Sequence, residues 1–227
     1  MAYDFDTIAT RYDHMNRLMT LGLDRAWRRR AVRELGVPPA DGGKVIDVAC
    51  GTGDMLLELN RRGWNPVGVD LSESMLAIAR SKTSAHGMHP NCLAANAEQL
   101  PFADGEFEAA TCAFGVRNFE HLDEGLAEMC RVVKPGGRVV VLELSYPDGG
   151  LLLALYRLYV LRLIPLLGQL VAGNRAAYTY LPNSVLAFPK GVAFEEHLVK
   201  VGLRPLRRLK LTFGACVAYV AERPAEG

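Results

Sequence analysis

The sequence lacks several of the patterns that identify common classes of protein. Its five cysteines are scattered with no C-x-x-C pair, so they indicate neither a zinc site nor a disulfide framework. A formal net charge of +1 gives no global field that would attract nucleic acid. No Ser-His-Asp set, metal-ligand cluster or phosphate-cradling lysine is recognisable, which weakens hydrolase and kinase interpretations. Repeats are absent too, and 227 residues suit a single α/β domain over residues 1–227.

Neither the beginning of the chain nor its most apolar stretch has the pattern of a membrane or export signal. The opening residues, MAYDFDTIATRYDHMN, are polar and lean acidic, unlike a signal peptide. Residues 151–170 approach the length of a bilayer span, but Arg157, Arg162, Pro165 and Gln169 interrupt them. We therefore expect a cytoplasmic protein, in which residues 146–190 form an apolar helical insertion. A core helix, a hydrophobic lid and an interfacial helix all fit this stretch, and shaping a substrate pocket is favoured.

The stretch from Lys44 to Asp70 has the pattern of half a nucleotide-binding sheet. Residues 45–49 are apolar and β-branched and predict a buried parallel strand, and the glycines of residues 51–53 allow backbone to pass close to a ligand. An apolar-periodic helix and a second strand follow, and that strand ends on Asp70. The acid lies roughly 20 residues beyond the glycines, a spacing at which a carboxylate reaches a ribose hydroxyl pair.

Charge around the glycine turn favours one nucleoside over another. A dinucleotide site would read G-x-G-x-x-G, but the third glycine position is Leu56 and carboxylates flank the turn at Asp47 and Asp54. Two acids would repel a pyrophosphate and suit a cationic ligand, so S-adenosylmethionine is favoured over NAD. For Asp54 alone, stabilisation of the N-terminus of the following helix explains the residue equally well.

Residues 1–36 precede the sheet and are predicted to form a helical cap. Its second helix is expected to have Asp24 as its N-cap and to continue to Leu35. This helix is strongly basic, which indicates a solvated face first and contact with an anionic surface second. Its arginines are Arg25, Arg28, Arg29, Arg30 and Arg33.

The remaining elements predict a sheet whose carboxyl edge carries the functional side chains. Further strands are expected at residues 91–95, 107–113, 138–144, 204–211 and 216–221, the last two as an antiparallel hairpin at the sheet edge, with helices at 72–84 (capped by Ser72), 122–132 and 194–201. Arg117 and Asn118 follow a strand at the edge where ligands bind in open α/β sheets, and they are candidates to hold a developing oxyanion. Tyr12 is a candidate to close over the site from the N-terminal helix. As lone residues, all three also fit surface or structural roles.

Six segments, spread over nearly the whole chain, carry a resemblance to a known family. They are Phe5–Asn16, Asp47–Asp54, Asn96–Phe102, Phe114–Asn118, Arg131–Gly137 and Tyr178–Val185. Together they resemble the ubiquinone/menaquinone biosynthesis C-methyltransferases. The glycine motif is common among class I methyltransferases, whereas FGVRN and the N-terminal YDHMN are more specific.

This resemblance implies a class I methyltransferase fold: a Rossmann-like, seven-stranded, mostly parallel sheet with helices on both faces. It implies that S-adenosylmethionine is the cofactor, with Asp70 on its ribose, Asn96 and Ala97 near its adenine, and Thr52 also in contact. The predicted cofactor set is completed by Asp47, Gly51, Gly53, Leu71 and Ala113. At Ala113 many family members carry a serine, so a hydroxyl contact is lost there. Cys50 replaces a glycine of many members, and a small thiol should be tolerated.

The resemblance further implies methylation of a ring carbon of a prenylated quinol, with demethylmenaquinol favoured. Arg117 would hold the ring oxygen as a phenolate, while Asn118 and Tyr12 orient or deprotonate it. Beside the quinol, we expect peripheral contact with a membrane and a homodimer, and neither nucleic acid nor a metal. Two alternatives stay open: a class I methyltransferase of another lipid or small aromatic substrate, and a non-catalytic cofactor-binding subunit of a quinone-synthesis complex.

Overall fold

The computed structural model describes residues 9–159 and 184–225. Its helices are α1 (Ala9–Thr20), α2 (Asp24–Glu34), α3 (Asp54–Arg61), α4 (Glu73–Ser84), α5 (Leu122–Val132), α6 (Gly150–Leu158) and α7 (Val192–Lys200). Its strands are β1 (Lys44–Val48), β2 (Asn65–Asp70), β3 (Asn91–Ala94), β4 (Phe107–Ala113), β5 (Val133–Leu144), β6 (Arg204–Leu211) and β7 (Cys216–Glu222). Part of the predicted insertion and the segment that begins at Tyr178 lie outside the described residues.

The seven strands form one sheet in the order β3-β2-β1-β4-β5-β7-β6. The first five in this order run parallel, and β7 pairs antiparallel with both β5 and β6. The order reverses between β1 and β4, so ligands are expected outside the carboxyl ends of these two strands. The predicted class I methyltransferase fold, with its closing antiparallel hairpin, is confirmed.

Alternation along the strands gives the sheet two apolar faces. Val45, Val140 and Ala218 pack on the face covered by α2 and α3, through Trp27 and Leu59 among others. Their strand neighbours face the opposite side, where α5 and α7 cover the sheet. Because both faces are buried, the central strands are mostly apolar rather than alternating with polar residues, and Asp47, Thr111 and Glu143 are buried exceptions.

Local signals explain some boundaries and miss others. The Ser72 side chain accepts a hydrogen bond from the backbone N–H of Met75 at 3.1 Å, so the predicted cap of α4 is confirmed. The prediction that Asp24 caps α2 is wrong: its carboxylate is buried and pairs with Arg28 one turn later, and Leu23 occupies the cap position without a side-chain cap bond. Residues 134–137 do not separate α5 from β5 but form an irregular start of that strand, where the register shifts.

None of the helices within residues 9–159 and 184–225 is long and apolar enough to cross a membrane.

Candidate active site

The turn between β1 and α3 brings backbone close to neighbouring elements at the carboxyl edge. Gly53 has φ +82°, and a Cβ there would lie 3.1 Å from the Cβ of Ala79 on α4. Ala49 also has a left-handed backbone, at φ +55°, which costs energy for a residue with a Cβ. The turn is therefore tight, and its conformation depends on glycine at position 53.

Asp70, at the tip of β2, holds this turn from the neighbouring strand. Its carboxylate accepts hydrogen bonds from the backbone N–H of Gly51 at 2.8 Å and from that of Ser72 at 2.9 Å. Asp70, the residue predicted to bind the ribose, therefore lies against the glycine turn. Two backbone N–H donors fix the orientation of its carboxylate. Leu71, the next residue, is 72% exposed beside it.

Asp47 is a buried carboxylate that the protein satisfies on one oxygen only. Its Oδ1 accepts a hydrogen bond from Thr111 Oγ1 at 2.7 Å, while Oδ2 has no hydrogen-bond partner in the described part of the chain. Burial raises the pKa of Asp47 to about 7, against the lowering effects of the Thr111 hydrogen bond and the Arg28 cation. A buried, half-satisfied carboxylate near the glycine turn fits a cationic ligand, and Asp70 supplies the second acid for a ribose. The residues present thus fit S-adenosylmethionine.

Asp54 is not available to attract a cationic ligand as Asp47 is. The prediction that Asp47 and Asp54 act together on the ligand is therefore wrong for Asp54. Its carboxylate lies 2.8 Å from Lys82 Nζ and 3.9 Å from Arg28. Burial alone would raise the pKa of Asp54, but these two cations outweigh it and hold the pKa below its usual range. Its charge is thus neutralised within the protein, so attraction of a cation depends on Asp47 and Asp70.

The same lysine ties the N-terminal cap to the glycine turn. Lys82 Nζ lies 2.5 Å from a carboxylate oxygen of Asp13 on α1, and Thr52 Oγ1 donates a 2.5 Å hydrogen bond to the other oxygen. The predicted cofactor residue Thr52 is buried, and its hydroxyl is engaged by Asp13 and Lys82. The Thr52 side chain therefore links α1 to the glycine turn.

The other predicted cofactor residues lie along the same edge. Asn96 is exposed in the loop after β3, and its Oδ1 accepts a hydrogen bond from the backbone N–H of Glu98 at 3.0 Å. Ala97 beside it is buried. Ala113 ends β4 and is half-buried against the α2 face.

An apolar cavity of about 190 Å³ opens beside this edge, beneath α1 and α2. Its walls come from six separate parts of the chain and are mostly aromatic or aliphatic. Its lining comprises Asn16, Met19, Thr20, Leu21, Leu23, Asp24, Trp27, Phe114, Arg117, Leu144, Tyr156, Tyr159, Val185, Thr212 and Ala215. Trp27 Nε1 donates a 2.8 Å hydrogen bond to Thr212 Oγ1, which joins two of these walls. The space suits a flat apolar ring.

Arg117 is the main charged group of the cavity wall. It lies in a single 3₁₀ turn, Val116–Asn118, directly after β4, and its side chain is 5% exposed. Its Nη1 lies 2.7 Å from Oε1 of Glu143, a carboxylate buried at the end of β5. Burial raises the pKa of Glu143, an effect that the Arg117 cation opposes. A buried charge pair at one end of an apolar cavity can orient a cation towards a substrate oxygen.

The structure does not place the other two predicted catalytic residues, Asn118 and Tyr12, in the cavity wall. Asn118 is half-buried in the same turn and is not among the residues that line the cavity. Tyr12 lies in α1, whose later residues line the cavity, but its side chain is outside the described residues.

Left-handed backbone outside glycine is concentrated at this edge and around the cavity. Within the described residues it occurs at Leu21, Ala49, Phe114, Thr212 and Phe213. Such conformations cost about 1 to 3 kcal/mol each and persist where surrounding structure imposes them. Such clustering is typical of active sites, and this observation does not depend on any sequence motif.

Sequence reasoning missed two important residues. The pattern of residues 138–144 predicts Glu143 only as part of a strand, although an acid inside the run VVVLEL is a signal of a buried partner. Arg28 was grouped with solvated arginines, but it is buried, pairs with Asp24 at 2.5 Å and lies 5.1 Å from the centre of the Phe114 ring. Its spacing of four from Asp24 was the available signal.

Comparison with known proteins gives the family of the chain. A model of the ubiE/COQ5 methyltransferase family matches residues 2–223. A demethylmenaquinone methyltransferase of Thermus thermophilus is 46% identical over 222 residues, which are 97% of this chain and all of that protein. A ubiquinone/menaquinone biosynthesis C-methyltransferase of Geotalea uraniireducens is 42% identical, covering 96% of this chain and 94% of that protein.

Solved structures support the fold. A SAM-dependent methyltransferase of Aquifex aeolicus matches with a TM-score of 0.62 and 18% identity, over 86% of this chain and 89% of that chain. A geranyl diphosphate methyltransferase solved with SAM matches with a TM-score of 0.64 and 16% identity, over 88% and 85%. With the curated relatives and the family match, they lead to one assignment. The chain belongs to the ubiE/COQ5 methyltransferase family and is an S-adenosylmethionine-dependent methyltransferase.

Proposed function

We propose that this enzyme transfers a methyl group from S-adenosylmethionine to a ring carbon of demethylmenaquinol. The observation that carries the proposal is an apolar cavity beside the cofactor edge with the Arg117 guanidinium in its wall. Relatives that cover nearly the full chain are named demethylmenaquinone methyltransferases, which supports the naphthoquinol ring.

The chemistry requires a charged ring oxygen and little else from the protein. S-adenosylmethionine, when bound, supplies an electrophilic methyl carbon. The ring carbon attacks well only when the adjacent phenol has lost its proton, and Arg117 stabilises the resulting phenolate by charge and hydrogen bonding. The apolar walls exclude water and hold the ring in line with the cofactor edge.

Glu143 makes this use of Arg117 possible. A long, buried cation needs a fixed partner, and the 2.7 Å contact with Glu143 sets the position of the guanidinium. Phe114 contributes its backbone oxygen as a second acceptor for Nη1. Glu143 is therefore a positioning residue, and Arg117 is the catalytic one. Tyr12 and Asn118 are proposed to orient or deprotonate the ring hydroxyl.

We assign the cofactor site to the turn between Asp47 and Leu71. Asp70 would take the ribose hydroxyls, Asp47 would face the positively charged end, and Gly51, Thr52 and Gly53 would shape the turn around the cofactor. Asn96 and Ala97 would lie near the adenine, and Ala113 would contact the nucleoside through its backbone.

A prenylated substrate also requires that the protein meet a bilayer, because the prenyl tail partitions into lipid. We therefore propose peripheral membrane contact. A homodimer stays a prediction that light scattering would measure.

The test is label transfer from methyl-labelled S-adenosylmethionine to reduced demethylmenaquinone, analysed by mass spectrometry. A gain of one methyl on the ring is expected. Transfer only to a benzoquinol or to a phospholipid would contradict the proposed substrate. Tight cofactor binding without transfer to any of these would contradict catalysis and favour a non-catalytic subunit.

A further inference from the structure

Two large apolar side chains are exposed on loops that line the cavity, and we call this surface the mouth. Leu21 is 73% exposed at φ +52° between α1 and α2, and Phe213 is 80% exposed at φ +56° between β6 and β7. Both are residue types for which left-handed backbone is rare. The fold thus maintains unfavourable backbone conformations at two separate loops that expose apolar surface.

The two loops belong to one site. Leu21, Leu23 and Thr212 all line the cavity, and Phe213 follows Thr212 directly. The hydrogen bond from Trp27 Nε1 to Thr212 Oγ1 fixes the second loop against α2. The two exposed side chains therefore belong to loops that line the same cavity, and Arg117 is part of its wall.

Charge beside the mouth is positive. Arg25 and Arg29 lie four residues apart on the exposed face of α2, which begins directly after Leu23. Within the described residues no carboxylate lies within 4.0 Å of either guanidinium. The nearby Asp24 is buried and paired with Arg28. Apolar side chains next to unneutralised arginines are the combination that binds an anionic bilayer surface.

We infer that this mouth docks on an anionic phospholipid bilayer. Leu21 and Phe213 insert between acyl chains, Arg25 and Arg29 contact headgroups, and the cavity opens directly into the lipid. The docking surface is inferred without the proposed function, but its use rests on that function. A docked cavity would give a lipid-dissolved substrate a path that never crosses water.

The test is co-sedimentation with vesicles of phosphatidylcholine and phosphatidylglycerol in equal amounts, using Phe213→Asn. Asparagine tolerates left-handed backbone, so this variant keeps the loop and removes only the apolar side chain. Phe213 does not line the cavity, so turnover on a short-chain quinol in detergent should stay unchanged. Vesicle affinity is expected to fall about tenfold. The matched control is Val37→Asn, which removes an apolar side chain that is 92% exposed in the segment between α2 and β1, and it should bind vesicles like wild type.

Arg25→Gln/Arg29→Gln should reduce binding to these vesicles and leave the weaker binding to pure phosphatidylcholine unchanged. Equal binding by wild type and Phe213→Asn would overturn the inference. So would conversion of a dimer to a monomer by Phe213→Asn, which would assign the surface to a second copy of the chain. If wild type methylates the quinol in detergent but does not bind vesicles, the docking inference is overturned and the proposed function stands. If wild type binds vesicles but does not methylate the quinol, the proposed function is overturned and the docking inference stands.

Discussion

The cofactor edge has its glycine turn and both of its acids, Asp47 and Asp70, in one short stretch, residues 47–72. The cavity takes its walls from residues between Asn16 and Ala215. The first is polar and crossed by hydrogen bonds from Gly51, Ser72 and Thr111 to carboxylates. The second is apolar, with charge supplied mainly by Arg117. A local motif can therefore specify a cofactor, but a substrate pocket requires the whole fold.

The comparison predicts that the two regions can be disabled separately, and the largest effect is expected at Arg117. Arg117→Ala should lower kcat by about 100- to 1,000-fold because the phenolate loses its stabilising cation. Affinity for S-adenosylmethionine, measured by calorimetry, should not change. Arg61→Ala, which removes an exposed arginine paired with Glu58 on α3, is the matched control.

Loss of Arg117 also leaves Glu143 buried without its cation, which destabilises the fold. The double change Arg117→Met/Glu143→Gln should restore thermal stability without restoring turnover. Wild-type turnover in either variant would disprove the catalytic role.

Asp70→Ala tests the other region. Affinity for S-adenosylmethionine should fall roughly 100-fold, because ribose hydroxyls lose a charged acceptor and the Gly51 N–H loses its partner. Turnover at saturating cofactor should change far less. Asp104→Ala, at a mostly exposed aspartate far along the chain, should bind the cofactor normally. Unchanged affinity in Asp70→Ala would remove Asp70 from the site.

The contrast also explains what the sequence could predict. Residues 107–113 and 122–132 match β4 and α5, because a short, mostly apolar run predicts the strand and apolar residues recur at helical spacing along the helix. Asp70 and the glycine turn were found because their spacing is local. Glu143 and Trp27 were not, since their partners Arg117 and Thr212 are 26 and 185 residues away. The prediction that Asp24 caps α2 is wrong because its carboxylate pairs with Arg28 and not with the backbone N–H groups at the helix N-terminus.

Asp47 should make cofactor binding depend on pH. Burial raises its pKa to about 7 in the cofactor-free protein, so the carboxylate becomes charged only as the pH rises through neutrality. Affinity for cationic S-adenosylmethionine should therefore increase from pH 6 to pH 8, by up to about tenfold per unit below the pKa. Asp47→Asn should show a flatter profile. A parallel profile in wild type and variant would contradict this role.

The raised pKa of Asp47 also makes the free energy of unfolding depend on pH. The folded protein keeps a proton on Asp47 that the unfolded chain releases near pH 4, so the free energy of unfolding should fall as the pH rises from about 4 to about 7. Denaturant titration of wild type and Asp47→Asn across this window would measure the difference.

The smallest effect is expected at the hydrogen bond between two cavity walls. Trp27→Phe removes the donor to Thr212, and KM for the quinol should rise about two- to tenfold with cofactor affinity unchanged. Trp64→Phe is the control, since this buried tryptophan packs in the same apolar cluster without a hydrogen-bond partner among the described residues. Equal KM values in the two variants would show that the Trp27 hydrogen bond does not shape the cavity.

The contacts of Asp13 couple the two regions of the molecule. Asp13 holds α1 to Lys82 and to Thr52 of the glycine turn, and Asn16, Met19 and Thr20 of the same helix form part of the cavity wall. The cavity wall and the cofactor turn are therefore joined through a single carboxylate, so the shape of one depends on the position of the other.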